Sequence, residues 1–205
     1  MSKFVSRILA AVIATAALAS FAVAAPSNWS VDAAHSEVGF EVKHIFSLVR
    51  GVFREAQGTI VFDDANPANI KVDASVQTAS VNTGNDKRDG HLKGTDFFDA
   101  EKNPTISFKS TKVTAAGKNK YKVTGDFTMH GVTKSVTFDA EFLGAGAVGV
   151  GGQSWGSKAG FIASATINRK DFGIVWNKTL DNGGLMLGDD VKINLNIEAN
   201  AVEKK

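Results

Sequence analysis

Apolar and polar residues alternate one by one along most of this chain. Val38, Phe40 and Val42 interleave with Glu37, Glu41 and Lys43, and Ile70, Val72, Ala74 and Val76 with Lys71, Asp73, Ser75 and Gln77. The same rhythm returns at Ile106 and Phe108, across 121–129 and 136–142, through Phe161, Ala163, Ala165 and Ile167, and across 191–197. A strand points successive side chains to opposite faces, so each run predicts a strand with one apolar and one polar face. A further strand is expected from about Val52 to Phe62, with a bulge near Gly58 where the phase slips. A short first strand near Trp29 brings the expected number to eight or nine. Turn chemistry separates the runs at Asp63-Asp64-Ala65-Asn66-Pro67, Ala116-Gly117-Lys118-Asn119 and His130-Gly131. Only Thr83 to Leu92 reads as helical, and Gly84 and Gly90 weaken it.

The fold class is therefore all-β with one short helix. Long antiparallel strands must protect their edges, and closure into an eight-stranded antiparallel barrel does so completely. A two-sheet sandwich has nearly the same signature. An outer-membrane barrel would turn the apolar face outward and need aromatic girdles, for which one Tyr and three Trp are poor material. With the apolar face inside, small residues at Ala74, Gly125, Ala140, Ala163 and Ala165 leave room for a ligand. A fully packed core fits the pattern equally well.

Two connections stand out. Residues 144–160 hold seven glycines and read as a mobile connection. Residues 172–188 are apolar for a loop, with Phe172, Ile174, Val175, Trp176, Leu180, Leu185, Met186 and Leu187. They suit a lid over a lipid cavity, or a plain flap sealing one barrel end.

The amino terminus changes the charge picture. Lys3 and Arg7 precede an uncharged apolar stretch from Ile8 to Ala24, ending in the small-x-small triplet Ala22-Val23-Ala24. Residues 1–24 read as a cleaved signal peptide, which predicts a periplasmic, secreted protein. A retained membrane anchor is the alternative, but the stretch is short and Ala-rich. Removing those 24 of 205 residues leaves one 181-residue domain, 25–205. It also takes Lys3 and Arg7 out of the 23 basic residues, leaving 21 against 21 acidic ones. A nucleic-acid partner is not expected of such a chain. Stable membrane insertion is not expected either. Cysteine is absent, which removes thiol chemistry and thiolate metal ligands.

Apparent catalytic motifs fail on context. Gly152-Gln153-Ser154-Trp155-Gly156 matches the nucleophile elbow, but all four histidines precede the serine and no helix follows. Gly144-Ala145-Gly146-Ala147-Val148-Gly149 matches the dinucleotide fingerprint without opening a helix. His35, His44, His91 and His130 are scattered, so no metal site is expected. Lys87-Arg88-Asp89-Gly90-His91-Leu92 is more promising, because a cation and an imidazole in one short segment can meet a polar or phosphate head group. A solvated helix with Arg88 and Asp89 bonded locally is the plain alternative.

Several pieces together resemble the YceI-like family of secreted polyisoprenoid-binding proteins. They are Trp29-Ser30-Val31-Asp32 with His35-Ser36, Phe40, His44, Gly51-Val52-Phe53, Arg88-Asp89-Gly90-His91-Leu92 and Asp96-Phe97-Phe98-Asp99. Pro104-Thr105-Ile106-Ser107-Phe108, the stretch from Gly125 to Lys134, and Ile167-Asn168-Arg169-Lys170-Asp171-Phe172-Gly173 complete the set. The resemblance spans Trp29 to Glu198. It implies a lipocalin-like eight-stranded barrel with a long isoprenoid chain in its lumen, and it leaves a homodimer open. The glycine-rich 144–156 segment looks longer than is usual for the family.

The expected function is a periplasmic carrier of an amphiphilic isoprenoid or quinone-like lipid. It is expected not to be an enzyme and to need no cofactor. Expected tail contacts are Phe40, Val42, Phe108, Phe127, Met129, Phe138, Phe142 and Phe161, with Trp176 and Leu187 at the lid and Arg88 and His91 at the head group. Two other classes remain. An enzyme acting on a bound lipid would need a base such as His91 with Asp89. A secreted stress-response or interaction protein would keep a packed core and use its outer face.

Overall fold

The computed structural model describes residues 27–202, and the segment read as a signal peptide lies outside them. One sheet contains eleven strands: β1 (Ser27–Val31), β2 (Glu37–His44), β3 (Ser47–Phe53), β4 (Ala56–Phe62), β5 (Lys71–Gln77), β6 (Val81–Asn82), β7 (Thr105–Gly117), β8 (Lys120–Met129), β9 (Val132–Val150), β10 (Gln153–Asn168) and β11 (Leu187–Ala201). The one α-helix among the described residues, α1 (Asp86–Lys93), stands between β6 and β7. The Asn85 side chain caps it by accepting from the Arg88 amide at 2.9 Å, which starts a helix that its glycine would otherwise weaken.

The sheet closes on itself. Trp29 of β1 faces Ile60 of β4 on one side and Ala201 of β11 on the other. The ring β1-β4-β5-β7-β8-β9-β10-β11 is therefore an eight-stranded antiparallel barrel with no free edge around its girth. The remaining three strands prolong this ring. β2 follows β1 along β11, pairing from Leu187 to Asn196 where β1 pairs from Ala199 to Ala201. β3 and β6 extend β4 and β5 in the same way, with β3 paired to β2 and β6 to β3. The expected strand number is thus met by eight barrel staves, three of them broken by a kink.

Two expectations are corrected. The ladder between β4 and β5 runs unbroken through Gly58 opposite Ala74. The phase slip comes instead from Arg54 and Glu55, where β3 stops and β4 begins. The glycine-rich 144–160 segment is not a loose connection. It is a paired β-ribbon, with Gly144 opposite Gly160 and Ala145 opposite Ala159, that projects beyond the barrel wall. Its turn is Gly151-Gly152 at φ 62° and 84°, the positive values a tight hairpin turn requires and glycine adopts without strain.

The core lies inside the barrel as the alternation demands. In β8, Tyr121, Val123, Phe127 and Met129 are buried while Lys122 and Asp126 are exposed. The two halves of the interior differ. Toward the end that carries the β7–β8 turn and the ribbon, Phe62, Tyr121, Phe142 and Phe161 form a tight aromatic plug, with Phe62 and Phe142 ring centres 4.4 Å apart. At mid-barrel the Phe108 ring lies over Gly125, where a Cβ would clash with it, and against Phe138 at 5.1 Å. The room that Gly125 offers is thus taken by Phe108. The opposite half is hollow.

Candidate ligand-binding cavity

The hollow half encloses a cavity of about 480 Å³. This lies within the ordinary range for small-molecule sites. Val38, Phe40 and Val42 of β2, Val49 and Phe53 of β3, and Ile193 of β11 form one wall. Phe127 and Met129 of β8 and Ile106 of β7 form the facing wall. Over the open end lie α1 and the segment from β10 to β11, which contribute Leu92, Ile174, Trp176 and Met186. The surface is almost wholly apolar; Asn85, Lys87, Arg88 and His91 border it at α1, and His44 at the end of β2 and the buried Arg169 complete its polar groups.

Local structure places each group. A Cβ at Gly51 would clash with the Phe40 ring, so glycine there lets that ring lie flat along the wall. Phe40 meets Phe53 at 5.7 Å, and Phe53 meets Phe98 at 5.6 Å. On α1 the buried Asp89 carboxylate accepts from the Thr83 amide at 2.9 Å and from the Thr83 hydroxyl. Arg88 donates to the same hydroxyl at 2.7 Å and to the Thr83 carbonyl at 2.9 Å. These bonds fix the Arg88 guanidinium at the rim. The His91 ring stands edge-on to Phe97 at 4.9 Å and to Trp176 at 5.0 Å, and its Nε2 meets Asp96 at 2.9 Å.

The covering segment hangs on Arg169, which the sequence pattern did not single out. Its buried guanidinium donates to the carbonyls of Ile174 and Trp176, both at 2.8 Å, and of Gly188 at 2.9 Å. A fourth contact reaches Asp189 at 3.2 Å. Burial pulls the guanidinium pKa below its usual value, and the Asp189 carboxylate works against that shift. Asn177 adds a second fastening, accepting from the Leu187 amide at 3.0 Å and donating to its carbonyl at 2.7 Å.

Of the twelve residues expected at a ligand, eight border this cavity: Phe40, Val42, Phe127, Met129, Trp176, Leu187, Arg88 and His91. The other four lie deeper. Phe108 and Phe138 pack at mid-barrel, and Phe142 and Phe161 belong to the aromatic plug. Val38, Val49, Phe53, Phe97 and Ile193 join the wall; Val38 and Ile193 sit in alternating runs and Phe53 in the strand expected from Val52, where an inward face is equally that of a core, while Val49 and Phe97 lie outside the expected strands.

His91 and Asp89 do not form a dyad, since His91 is turned to Asp96 and Asp89 to Thr83. Ser154 lies exposed on the ribbon, its hydroxyl accepting from the Gly156 amide. The dinucleotide-like glycines 144–149 are strand residues of β9. Among the described residues, Asp32, His35 and Glu198 form the one cluster with metal-ligand spacing. The Lys158 ammonium already contacts both of its carboxylates, at 3.0 and 3.1 Å.

Comparison with known proteins decides the family. The model of the YceI-like domain matches residues 29–199. This chain belongs to the YceI-like family. A UPF0312 protein of Photorhabdus laumondii is 41% identical over 156 residues, covering 75% of this chain and 78% of its own. A UPF0312 protein of Staphylococcus aureus is 38% identical over 173 residues, covering 84% and 96%. Among solved structures, the YceI protein of Campylobacter jejuni shares 37% identity at a TM-score of 0.61, covering 85% of this chain and 97% of that one. BcnA of Burkholderia cenocepacia superposes at a TM-score of 0.73 with 27% identity, covering 83% and 99%. A polyisoprenoid-binding domain from Saccharophagus degradans has the same fold at 16% identity and a TM-score of 0.60.

Proposed function

We propose that this YceI-like protein is a periplasmic carrier that holds the tail of an amphiphilic isoprenoid or quinone-like lipid inside its barrel. The observation that carries the proposal is the 480 Å³ apolar cavity bordered at α1 by Lys87, Arg88 and His91. An apolar tail placed there leaves water, and its polar end meets Arg88, Lys87 and His91. Burying about ten methylene-sized groups would contribute roughly 8 kcal/mol before the cost of association. Such binding needs no charged anchor, so the head group and the cavity length set selectivity. The solved polyisoprenoid-binding domain of like fold supports this ligand class. Export follows from the amino-terminal segment read as a signal peptide. The protein acts by binding on this reading, which the apolar walls and the solved polyisoprenoid-binding domain support.

Native mass spectrometry of protein purified from its own periplasm, followed by organic extraction, tests the proposal. The expected result is one isoprenoid or quinone-like lipid per chain. Protein that comes out empty and also ignores added isoprenoids would overturn it and leave the cavity without this role.

A further inference from the structure

The β2–β3 turn breaks the rules of its own geometry. Ile45 and Phe46 form a two-residue hairpin turn, with Ile45 at φ 55°. Hairpin turns with positive φ at the first central position ask for glycine, and a β-branched residue there is strained. The next residue, Phe46, is 90% exposed. Leu48 beside it is 52% exposed. A relaxed and soluble turn would carry glycine and a polar residue, yet this chain holds two large apolar residues at the tip.

The tip is joined to the cavity cover. The Ile45 amide donates to the Met186 carbonyl at 2.8 Å, and the Met186 amide donates to the Lys178 carbonyl at 2.9 Å. The cover has exposed apolar residues of its own, Val175 at 64% and Leu185 at 53%. Met186 lines the cavity directly. Phe46, Leu48, Val175 and Leu185 thus form an exposed apolar group at the end of the barrel where the cavity is covered. Cations surround them. Lys43 stands opposite Leu48 in the ladder, Lys178 belongs to the cover, and Lys87 and Arg88 border the cavity on α1. Among the described residues none of these four forms an ion pair, while Asp86 on α1 and Asp171 and Asp181 on the cover are the exposed acidic groups there without one. Apolar tips within a cationic surround match an anionic bilayer, where apolar groups enter the acyl boundary and cations meet phosphates.

We propose that the β2–β3 tip and the adjoining cover form a peripheral docking surface for an anionic phospholipid bilayer, seating the covered end of the cavity against the membrane. This rests on the carrier reading above. A water-insoluble tail would pass between bilayer and barrel without crossing bulk water. The ribbon at the other end also exposes Leu143, Val148, Val150 and Trp155, but residues 144–157 carry no charged side chain and so offer no cations to lipid phosphates.

Sedimentation of the unloaded protein with vesicles of phosphatidylcholine and phosphatidylglycerol tests the surface apart from the cargo. Binding is expected to these vesicles, to weaken with salt, and to be much weaker for phosphatidylcholine alone. Phe46→Ser with Leu48→Ser should lower partitioning about tenfold or more, whereas Trp155→Ser should leave it unchanged. Trp176 fluorescence with a short, detergent-dispersed isoprenoid alcohol should be the same in wild type and in both variants. Equal vesicle binding by wild type and the tip variant, or loss in the Trp155 variant instead, would overturn the proposal. So would a protein dimer that forms without vesicles and is lost in the tip variant. A protein that docks but fails to take up the alcohol would refute the carrier reading while leaving the docking surface in place.

Discussion

Arg169 holds Trp176 over the cavity through a backbone carbonyl, at 2.8 Å, rather than through any side-chain contact. At Arg169 the cover is therefore fastened by its main chain, which leaves the side chains of Ile174 and Trp176 free to face a ligand. Because three carbonyls converge on one guanidinium, its removal orphans all of them together. Arg169→Ala is expected to cost about 3 kcal/mol, most of it as local opening of the cover. Hydrogen exchange should show faster amide exchange from Ile174 to Leu187 with little change in β7 to β9. Arg169→Lys keeps the charge but lacks the planar fork, and should recover less than half of the loss. Uniform loss of protection across the barrel would show that the residue supports the whole fold and not the cover.

Trp176 gives the cavity an optical reporter. It packs against Phe97 at 5.2 Å and His91 at 5.0 Å and borders the cavity, while Trp29 is buried among the β1 neighbours. Filling the cavity should shift the emission of Trp176 to shorter wavelength, and Trp176→Phe should abolish that change. Trp176→Ala should weaken ligand binding by about ten- to a hundredfold, from lost apolar contact and ring packing. A fluorescence change that survives Trp176→Phe would place the ligand elsewhere.

A cavity, unlike a core, tolerates being filled. Ile193 of β11 borders the empty volume opposite Phe40 in the ladder. Ile193→Trp puts the extra ring into that space. Thermal unfolding should change by less than about 1 kcal/mol, whereas the same kind of enlargement at Val123, among close-packed neighbours, should cost about 1–3 kcal/mol. Ligand binding to Ile193→Trp should fall more than about tenfold. A large loss of stability at Ile193 would mean the volume is not available to a tail.

How much of this the sequence disclosed follows from what repeats. Strand alternation is imposed by one-sided burial, so the staves of the barrel and its antiparallel order were legible from Val38 to Ile197. The helix was legible in outline, read over Thr83 to Leu92 against Asp86–Lys93 in the structure, and its Asn85 cap emerged only there. The ribbon was misread because glycine serves both a loose loop and a tight hairpin turn, and the deciding feature, Gly151-Gly152 with paired flanks, is local. The division of the lumen was invisible. Phe127 and Phe142 occupy like positions in like strands, and only their height in the barrel separates cavity wall from plug. Arg169 lay within a motif of the resemblance, but carbonyls five, seven and nineteen residues onward leave no periodic trace.

The barrel seam carries its own titration. Lys158 of β10 bonds Asp32 at 3.0 Å and Glu198 at 3.1 Å, where β1 gives way to β2 beside β11. The hydrogen bond from Lys158 holds the Asp32 carboxyl well below the usual carboxylate range, with His35 and Asn200 adding to the effect. A depressed carboxylate pKa stabilises the fold at pH values above that of the unfolded group, near 3.8, and the gain disappears as the pH falls toward the folded value. In the same contact Asp32 and Glu198 raise the Lys158 pKa above 10.5, a gain present below that value and lost as the pH rises through the folded one. Asp32→Asn is therefore expected to lower Tm on the order of 3–5 °C at pH 7. The difference from wild type should shrink steadily as the pH is taken below about 4. Lys158→Met should behave alike at pH 7 and leave the cavity's affinity for an isoprenoid unchanged, because the seam lies at the plugged end. Thermal unfolding between pH 2 and pH 11 checks both, and a wild-type to Asp32→Asn gap that stays constant through pH 3 would show that this ion pair does not hold the seam.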